Sequence, residues 1–248
     1  MNLDLLFERP IAHRGLHEAN AGIIENSRTA VLRAVEAGYG FEVDVQMSAD
    51  GEAMVFHDEK LDRLTGETGP VKARTAAELK EIALKDSAFG DRIWTLGELL
   101  LEVRGRAAAI IEIKTLWDHD MRLAERTARL LSVYPYPAAA KSFDPEIVAA
   151  FGKAAPEVPR GIIGYAYPAD GEEGLTALKR FYLRHLLHWP KTRPHFISWA
   201  VRDLEMVSVR LAHRITGAPV MTWTVRTEFD QARAGLHADQ MIFEGFLP

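Results

Sequence analysis

A strand buried in a parallel sheet is almost wholly apolar unless its end enters a site. Three short apolar runs of this chain break that rule: Ile11-Ala12-His13-Arg14-Gly15, Phe41-Glu42-Val43-Asp44-Val45 and Ile111-Glu112-Ile113-Lys114. Residues at i and i+2 of a strand share a face, so Glu42 and Asp44 project together, as do Glu112 and Lys114. Three carboxylates converging from two strands repel one another, and desolvation drives some of them to take up protons. A divalent cation resolves that conflict. The chain has no cysteine, and oxygen donors with room for water suit hard Mg2+ or Ca2+ better than zinc. The competing reading is a structural ion network, in which Arg14, Lys114 or another base pairs with the acids.

Of nine histidines, His17, His119, His185, His188, His213 and His237 fall in loop or helical stretches and read as surface or helix-end residues. His195 precedes a strand and stays open. His13 and His57 differ, because each ends a short apolar run, IAH and MVFH, and each is followed by a charged residue. Imidazole titrates near neutrality, so two of them flanking a reacting centre supply a general base and a general acid. Metal ligation and a satisfied core histidine are the competing roles. Arg14 and Lys114 bring positive charge beside the carboxylates, as expected where a phosphate or phosphodiester is held against a metal. Their other reading is to neutralise Glu42, Asp44 and Glu112.

The elements that must position these residues are legible in the hydrophobic pattern. The chain has 248 residues, 48% hydrophobic and 26% charged, the composition of a globular protein with a substantial core. A net charge of −5 supplies no footprint for nucleic acid, and no such partner is expected. The absence of cysteine excludes disulfides, Cys-ligated zinc, iron–sulfur clusters and a thiol nucleophile. MNLDLLFERP lacks the basic and apolar regions of a signal peptide, and no stretch of about 18 apolar residues occurs. A cytoplasmic protein without stable membrane association is expected.

Runs rich in Val, Ile and Phe alternate with stretches of helical period, the pattern of βα units. Strands are predicted at 10–14, 40–46, 107–113, 138–143, 160–165, 195–200, 219–225 and 240–244. Trp117, Met121, Ala124, Ala128 and Leu131 form one helical stripe, and Leu204, Val207, Leu211 and Ile215 another. Asp144-Pro145-Glu146 has the chemistry of a helix start. With no linker, the pattern predicts a single (β/α)8 TIM-type barrel over 1–248, with an open doubly wound sheet as the alternative. Between the second and third strands the crossover is about twice the usual length, so an inserted excursion is expected at about 47–106.

With these residues in place, the N-terminal half resembles the glycerophosphodiester phosphodiesterase family. The matching segments are AHRG at 12–15, ENS at 25–27, EVDVQMSADG at 42–51, HDEKLDRLTGETGPV at 57–71, WTLGELL at 94–100 and IEIK at 111–114. SFDPEIV at 142–148 and MTWTV at 221–225 match more loosely. The resemblance implies a TIM-type barrel with a small insertion and a metal-dependent hydrolase that releases an alcohol and glycerol 3-phosphate. It implies His13 and His57 as the acid–base pair, Arg14 and Lys114 as phosphate contacts, and Glu42, Asp44 and Glu112 as ligands of one Mg2+ or Ca2+. Trp223 matches an aromatic lining the family's substrate cleft.

The chain departs from the family pattern at Gln240, where a Gly is usual, at Glu244, where an Asp is usual, and at Arg226, where an Asn is frequent. Lys141 stands where an apolar residue would be unremarkable. Two other functions remain open: a phospholipase D-like or lysophospholipase D activity, and a barrel that binds phosphate ligands without turnover. The lipid reading needs an apolar channel or docking loop, for which 165–194 is the candidate place. The charges there, Glu172, Glu173, Lys179, Arg180 and Arg184, predict a solvated amphipathic helix instead.

Overall fold

The computed structural model describes residues 3–169 and 175–248. The elements among them are β1 (Ile11–Ala12), α1 (Arg28–Glu36), β2 (Gly40–Met47), β3 (Ala53–Val55), α2 (Ala76–Lys80), β4 (Trp94–Thr95), α3 (Leu96–Val103), β5 (Ala109–Ile113) and α4 (Arg122–Ser132). They continue with β6 (Ala138–Ser142), α5 (Pro145–Ala154), β7 (Arg160–Gly164), α6 (Ala177–Arg184), α7 (Trp189–Thr192), β8 (Phe196–Ala200), α8 (Val207–Thr216), β9 (Val220–Val225), α9 (Glu228–His237) and β10 (Gln240–Phe243). Strands β1, β2 and β5 to β10 run parallel, and β1 pairs with both β10 and β2, which closes the sheet into an eight-stranded barrel. Closure removes the exposed edges that an open sheet would leave.

All eight predicted strands are present, seven of them trimmed at one or both ends and β2 extended by one residue to Met47. The helices are less uniform. Helix α5 starts as expected, with Asp144 accepting from the Glu146 backbone N–H at 2.9 Å and Pro145 in the first turn. Helix α4 buries Leu123, Ala124, Ala128 and Leu131, but it begins only at Arg122. Trp117, with φ of 57°, belongs to the preceding loop. The stripe proposed through Leu204 is corrected more severely. Leu204 is buried ahead of α8, whereas Val207, Leu211 and Ile215 are 72, 53 and 73% exposed, and Val209 is the residue turned inward. Leu204 precedes the helix, so it does not define the face that the helix buries. Helix α6 is amphipathic as expected, burying Leu183 and exposing Leu178 and Phe181; Glu172 and Glu173 lie outside the described residues.

The excursion grows out of β2, whose residues Val45, Gln46 and Met47 pair antiparallel with Val55, Met54 and Ala53 of β3. Strand β4 continues that ladder. Met54, Phe56, Leu61, Val71, Leu79 and Ile93 form a separate apolar cluster beneath it. Thr95 and Glu98 then form a capping box that starts α3, the crossover helix returning to β5.

On the outer layer, His188 is buried with Nδ1 3.2 Å from Thr192 Oγ1, and burial pushes its pKa from 6.5 down to about 4. In the unfolded chain it takes a proton near pH 6.5; in the folded protein it does so only near pH 4. Its contribution to stability is therefore full above pH 6.5 and is lost as the pH falls towards 4, by about 2 kcal/mol between pH 6.5 and 5. Thermal melts of the protein and of His188→Asn over that range are expected to show a shallower pH slope in the variant. Equal slopes would exclude this origin.

Candidate active site

The barrel register assembles the acids. Asp44 of β2 lies beside Glu112 of β5, which lies beside Lys141 of β6, so the three occupy one layer of the barrel interior. Glu42 sits two residues below Asp44 on the same face. All four are buried, with relative exposures of 0% for Glu42, 1% for Asp44, 6% for Glu112 and 3% for Lys141. One oxygen each of Glu42, Asp44 and Glu112 lie within 4.8 Å of one another. Glu42 Oε1 accepts no hydrogen bond from the described residues, although Lys141 Nζ is 3.0 Å away. Three buried carboxylates, one with an unsatisfied oxygen, can hold a metal ion, and an all-oxygen donor set fits a hard divalent one.

Cations already face these acids. Lys114 Nζ is 2.7 Å from Asp44 and 2.6 Å from Glu112. Burial opposes ionisation of Asp44, but Lys114, His57 and Arg14 together outweigh it and hold the carboxyl well below the usual range. Glu112 is lowered in the same way, against burial, by Lys114 and Lys141. For Lys114 the reciprocal holds: burial disfavours its charge, and Asp44 and Glu112 restore it and raise its pKa.

The turn after β1 aims Arg14 into this cluster. His13 still donates its N–H to Phe243 O at 2.9 Å, but Arg14 and Gly15 then adopt φ of 55° and 76°. A Cβ on Gly15 would lie 2.7 Å from the carbonyl carbon of Ala30, so the turn needs glycine for space as well as for φ. Arg14 places Nε 3.4 Å from Asp44 and donates from Nη1 to Glu25 at 2.7 Å. Glu25 also accepts two bonds from Arg63, at 2.8 and 2.9 Å. Asn26 accepts from the Asp44 N–H and donates to its carboxylate, at 3.0 and 2.9 Å.

Each of the two singled-out histidines meets a carboxylate through Nδ1. His13 is 2.6 Å from Glu244 Oε2, and His57 is 2.7 Å from Asp58 Oδ1. A carboxylate acceptor fixes the proton on Nδ1 and leaves Nε2 for other work. Glu244 is steadied by Arg226 at 2.9 Å, and Asp58 by Arg63 at 2.7 and 2.8 Å. Burial opposes the charge on Glu244, but the bond to His13 and the nearby cations lower its pKa to about 2. Asp58 is likewise lowered to about 2, against burial, by Arg63 and His57. Both carboxylates are therefore ionised at neutral pH.

His13, Arg14, Asp44, His57, Glu112, Lys114 and Lys141 line one cavity of about 380 Å³, with Trp117, Phe143, Trp223 and Arg226 on its walls. Glu42, fully buried, is not among the residues that line it and meets the cavity only through Lys141, whose Nζ is 3.0 Å from Glu42 Oε1. Phe143 meets Trp223 edge to face, with centroids 5.4 Å apart, and the Trp223 indole N–H donates to Ser198 O at 3.3 Å. The cavity thus gathers the residues read from sequence apart from Glu42. A larger apolar groove of about 850 Å³ runs between α6 and α8, but it holds no such constellation. Chemistry, rather than volume, locates the site. The sequence reading assigned no role to Glu25, Asn26, Asp58, Arg63 or Glu244. The first four lie inside the quoted ENS and HDEKLDR segments, where a signal was available; Glu244 registered only as a departure.

The family model for the Glycerophosphoryl diester phosphodiesterase family matches residues 13–243. A glycerophosphodiester phosphodiesterase of Caldanaerobacter subterraneus subsp. tengcongensis is 39% identical over 111 residues, 42% of this chain and 44% of that protein. A putative glycerophosphodiester phosphodiesterase of Bacillus subtilis is 31% identical over 160 residues, 62% and 64% of the two chains. The chain spans about half the length of the curated relatives it matches. The glycerophosphodiester phosphodiesterase of Thermotoga maritima superposes with a TM-score of 0.71 at 27% identity, covering 94% of this chain and 92% of that one. An Oleispira antarctica phosphodiesterase, solved in complex with the product sn-glycerol-3-phosphate, has a TM-score of 0.75 at 21% identity, covering 95% and 92%. The last likeness is one of fold.

Proposed function

The chain belongs to the glycerophosphoryl diester phosphodiesterase family, and from that premise we propose that it hydrolyses small glycerophosphodiesters to an alcohol and glycerol 3-phosphate. One observation carries the reading. Two imidazoles, each anchored by a carboxylate through Nδ1, share a cavity with the cationic Arg14 and Lys114 and with Asp44 and Glu112, two members of a buried carboxylate triad.

Glu42, Asp44 and Glu112 would hold one Mg2+ or Ca2+, which supplies Lewis-acid polarisation of a phosphate oxygen. Arg14 and Lys114 balance the charge that develops on the phosphoryl oxygens. Nε2 of one histidine takes the proton from the attacking oxygen, and Nε2 of the other protonates the leaving alcohol. Glu244 and Asp58 keep the two rings oriented and stabilise the imidazolium that each reaches in turn. Trp223 and Phe143 form the apolar wall against which the glycerol or head-group carbons pack.

The test is a panel of glycerophosphocholine, glycerophosphoethanolamine and glycerophosphoglycerol, scored for glycerol 3-phosphate, and a lysophospholipid, scored for lysophosphatidate, with EDTA and with Mg2+ or Ca2+ restored. Release that stops in EDTA and returns with the metal is expected. Hydrolysis indifferent to EDTA would remove the metal. Preferential turnover of the lysolipid would favour the lipid-directed activity, and phosphate binding without hydrolysis would leave a non-catalytic barrel.

A further inference from the structure

We propose that Lys141 is a built-in competitor for the carboxylate site: its ammonium holds Glu42 and Glu112 with part of the charge that a divalent ion would bring, and so sets the affinity for that ion low. The inference rests on the metal-dependent reading above and concerns a residue to which that reading gives no part.

Lys141 Nζ lies 3.0 Å from Glu42 Oε1 and 3.5 Å from Glu112 Oε2. Among the described residues, three cationic side chains lie within ion-pair distance of the three carboxylates, Arg14, Lys114 and Lys141. The cluster is close to electroneutral on the protein's own charges, and a divalent ion would leave it with an excess of two. The three cations differ in their freedom. The Arg14 and Lys114 side chains are 20 and 18% exposed and stand at the turn after β1 and at the end of β5; they can swing onto a substrate phosphate. The Lys141 side chain is 2% exposed, and its backbone is fixed in β6, in register with Glu112 on one side and Gly161 on the other. Although it lines the cavity, it is almost wholly buried and held by a strand on either side, so its charge stays beside any ion that Glu42 and Glu112 bind. At such separations in a poorly solvated interior, like charges repel strongly. The unsatisfied Oε1 of Glu42 is the atom for which the ammonium and the ion compete.

Removing the charge while keeping most of the side-chain length is therefore expected to tighten metal binding. In calorimetric titration with MgCl2 or CaCl2 alone, Lys141→Met should bind about tenfold or more tightly than the unaltered protein, with a correspondingly lower metal concentration for half-maximal hydrolysis. Lys141→Gln, which keeps a donor for Glu42, guards against loss of folding in the methionine variant and should shift in the same direction. Thermal melts give a second readout. Both variants should melt lower than the unaltered protein in EDTA, where buried acids lose a partner, and should gain more from added metal. Unchanged or weaker binding in both variants would overturn the role of Lys141 while leaving metal dependence intact. If neither the protein nor the variants bind metal, and Glu112→Gln behaves as the unaltered protein, the metal reading fails and this inference with it.

Discussion

Alanine at His13 or at His57 is expected to lower kcat for a glycerophosphodiester by about 10²–10⁴-fold, the usual worth of a positioned proton donor or acceptor. The two losses should not look alike. If one ring acts as base and the other as acid, the parent has a bell-shaped pH profile, and each variant keeps only the limb that belongs to the remaining ring. The limbs can be assigned to the rings because the partner carboxylates do not titrate in the working range: Glu244 and Asp58 both have pKa values near 2. The anchoring bonds, 2.6 Å to Glu244 and 2.7 Å to Asp58, make the rings pre-oriented rather than free rotors. Glu244→Gln should accordingly reduce kcat less than His13→Ala, while perturbing the same limb. Near-normal turnover in either alanine variant would eliminate the pair as the acid and base.

On the proposed metal-dependent reading, Asp44→Asn is expected to reduce kcat/KM by about 10²–10³-fold, because several kcal/mol of charge stabilisation from the cation would go with the carboxylate. Mg2+ or Ca2+ binding should weaken in parallel. Folding stability is affected separately. Asp44 is buried, pairs with Lys114 at 2.7 Å and accepts from Asn26 at 2.9 Å. Breaking a buried pair removes about 3–5 kcal/mol when the partner is stranded, but Lys114 keeps Glu112 at 2.6 Å, so the loss should fall below that range. The pH dependence identifies the cause. The folded pKa of Asp44 lies below its ordinary value of 3.8, so its contribution is present above about pH 3.8 and is lost as the pH falls towards the folded value. The melting-temperature gap between protein and variant should therefore shrink below about pH 3.8. A gap at pH 3 equal to that at pH 7 would mean that the charge of Asp44 is not what stabilises.

The strands were legible because burial on both faces leaves an apolar run that local sequence displays directly, and the intruding Glu42, Asp44 and Glu112 stood out against it. Helix faces were harder. At α8 a residue outside the helix, Leu204, completed a stripe that the exposed Val207, Leu211 and Ile215 do not bury. The charge partners were hardest, since they depend on register rather than on spacing along the chain. Lys141 meets Glu112 across a strand pair 29 residues apart in sequence, and no periodicity announces such a neighbour. Asp58 was the easier case, being adjacent to His57.

The bond between His13 and Glu244 joins residues 231 positions apart, one just after the first barrel strand and the other just after the last. During synthesis, then, the last barrel strand must leave the ribosome before this imidazole can acquire its anchor. Glu42, Asp44, His57 and Glu112 all precede β6, but the proposed second proton-transfer group is completed only at the last barrel strand. Barrel closure thereby doubles as a check on the barrel's completeness, withholding half of the proposed acid–base pair from any product that ends before the last strand.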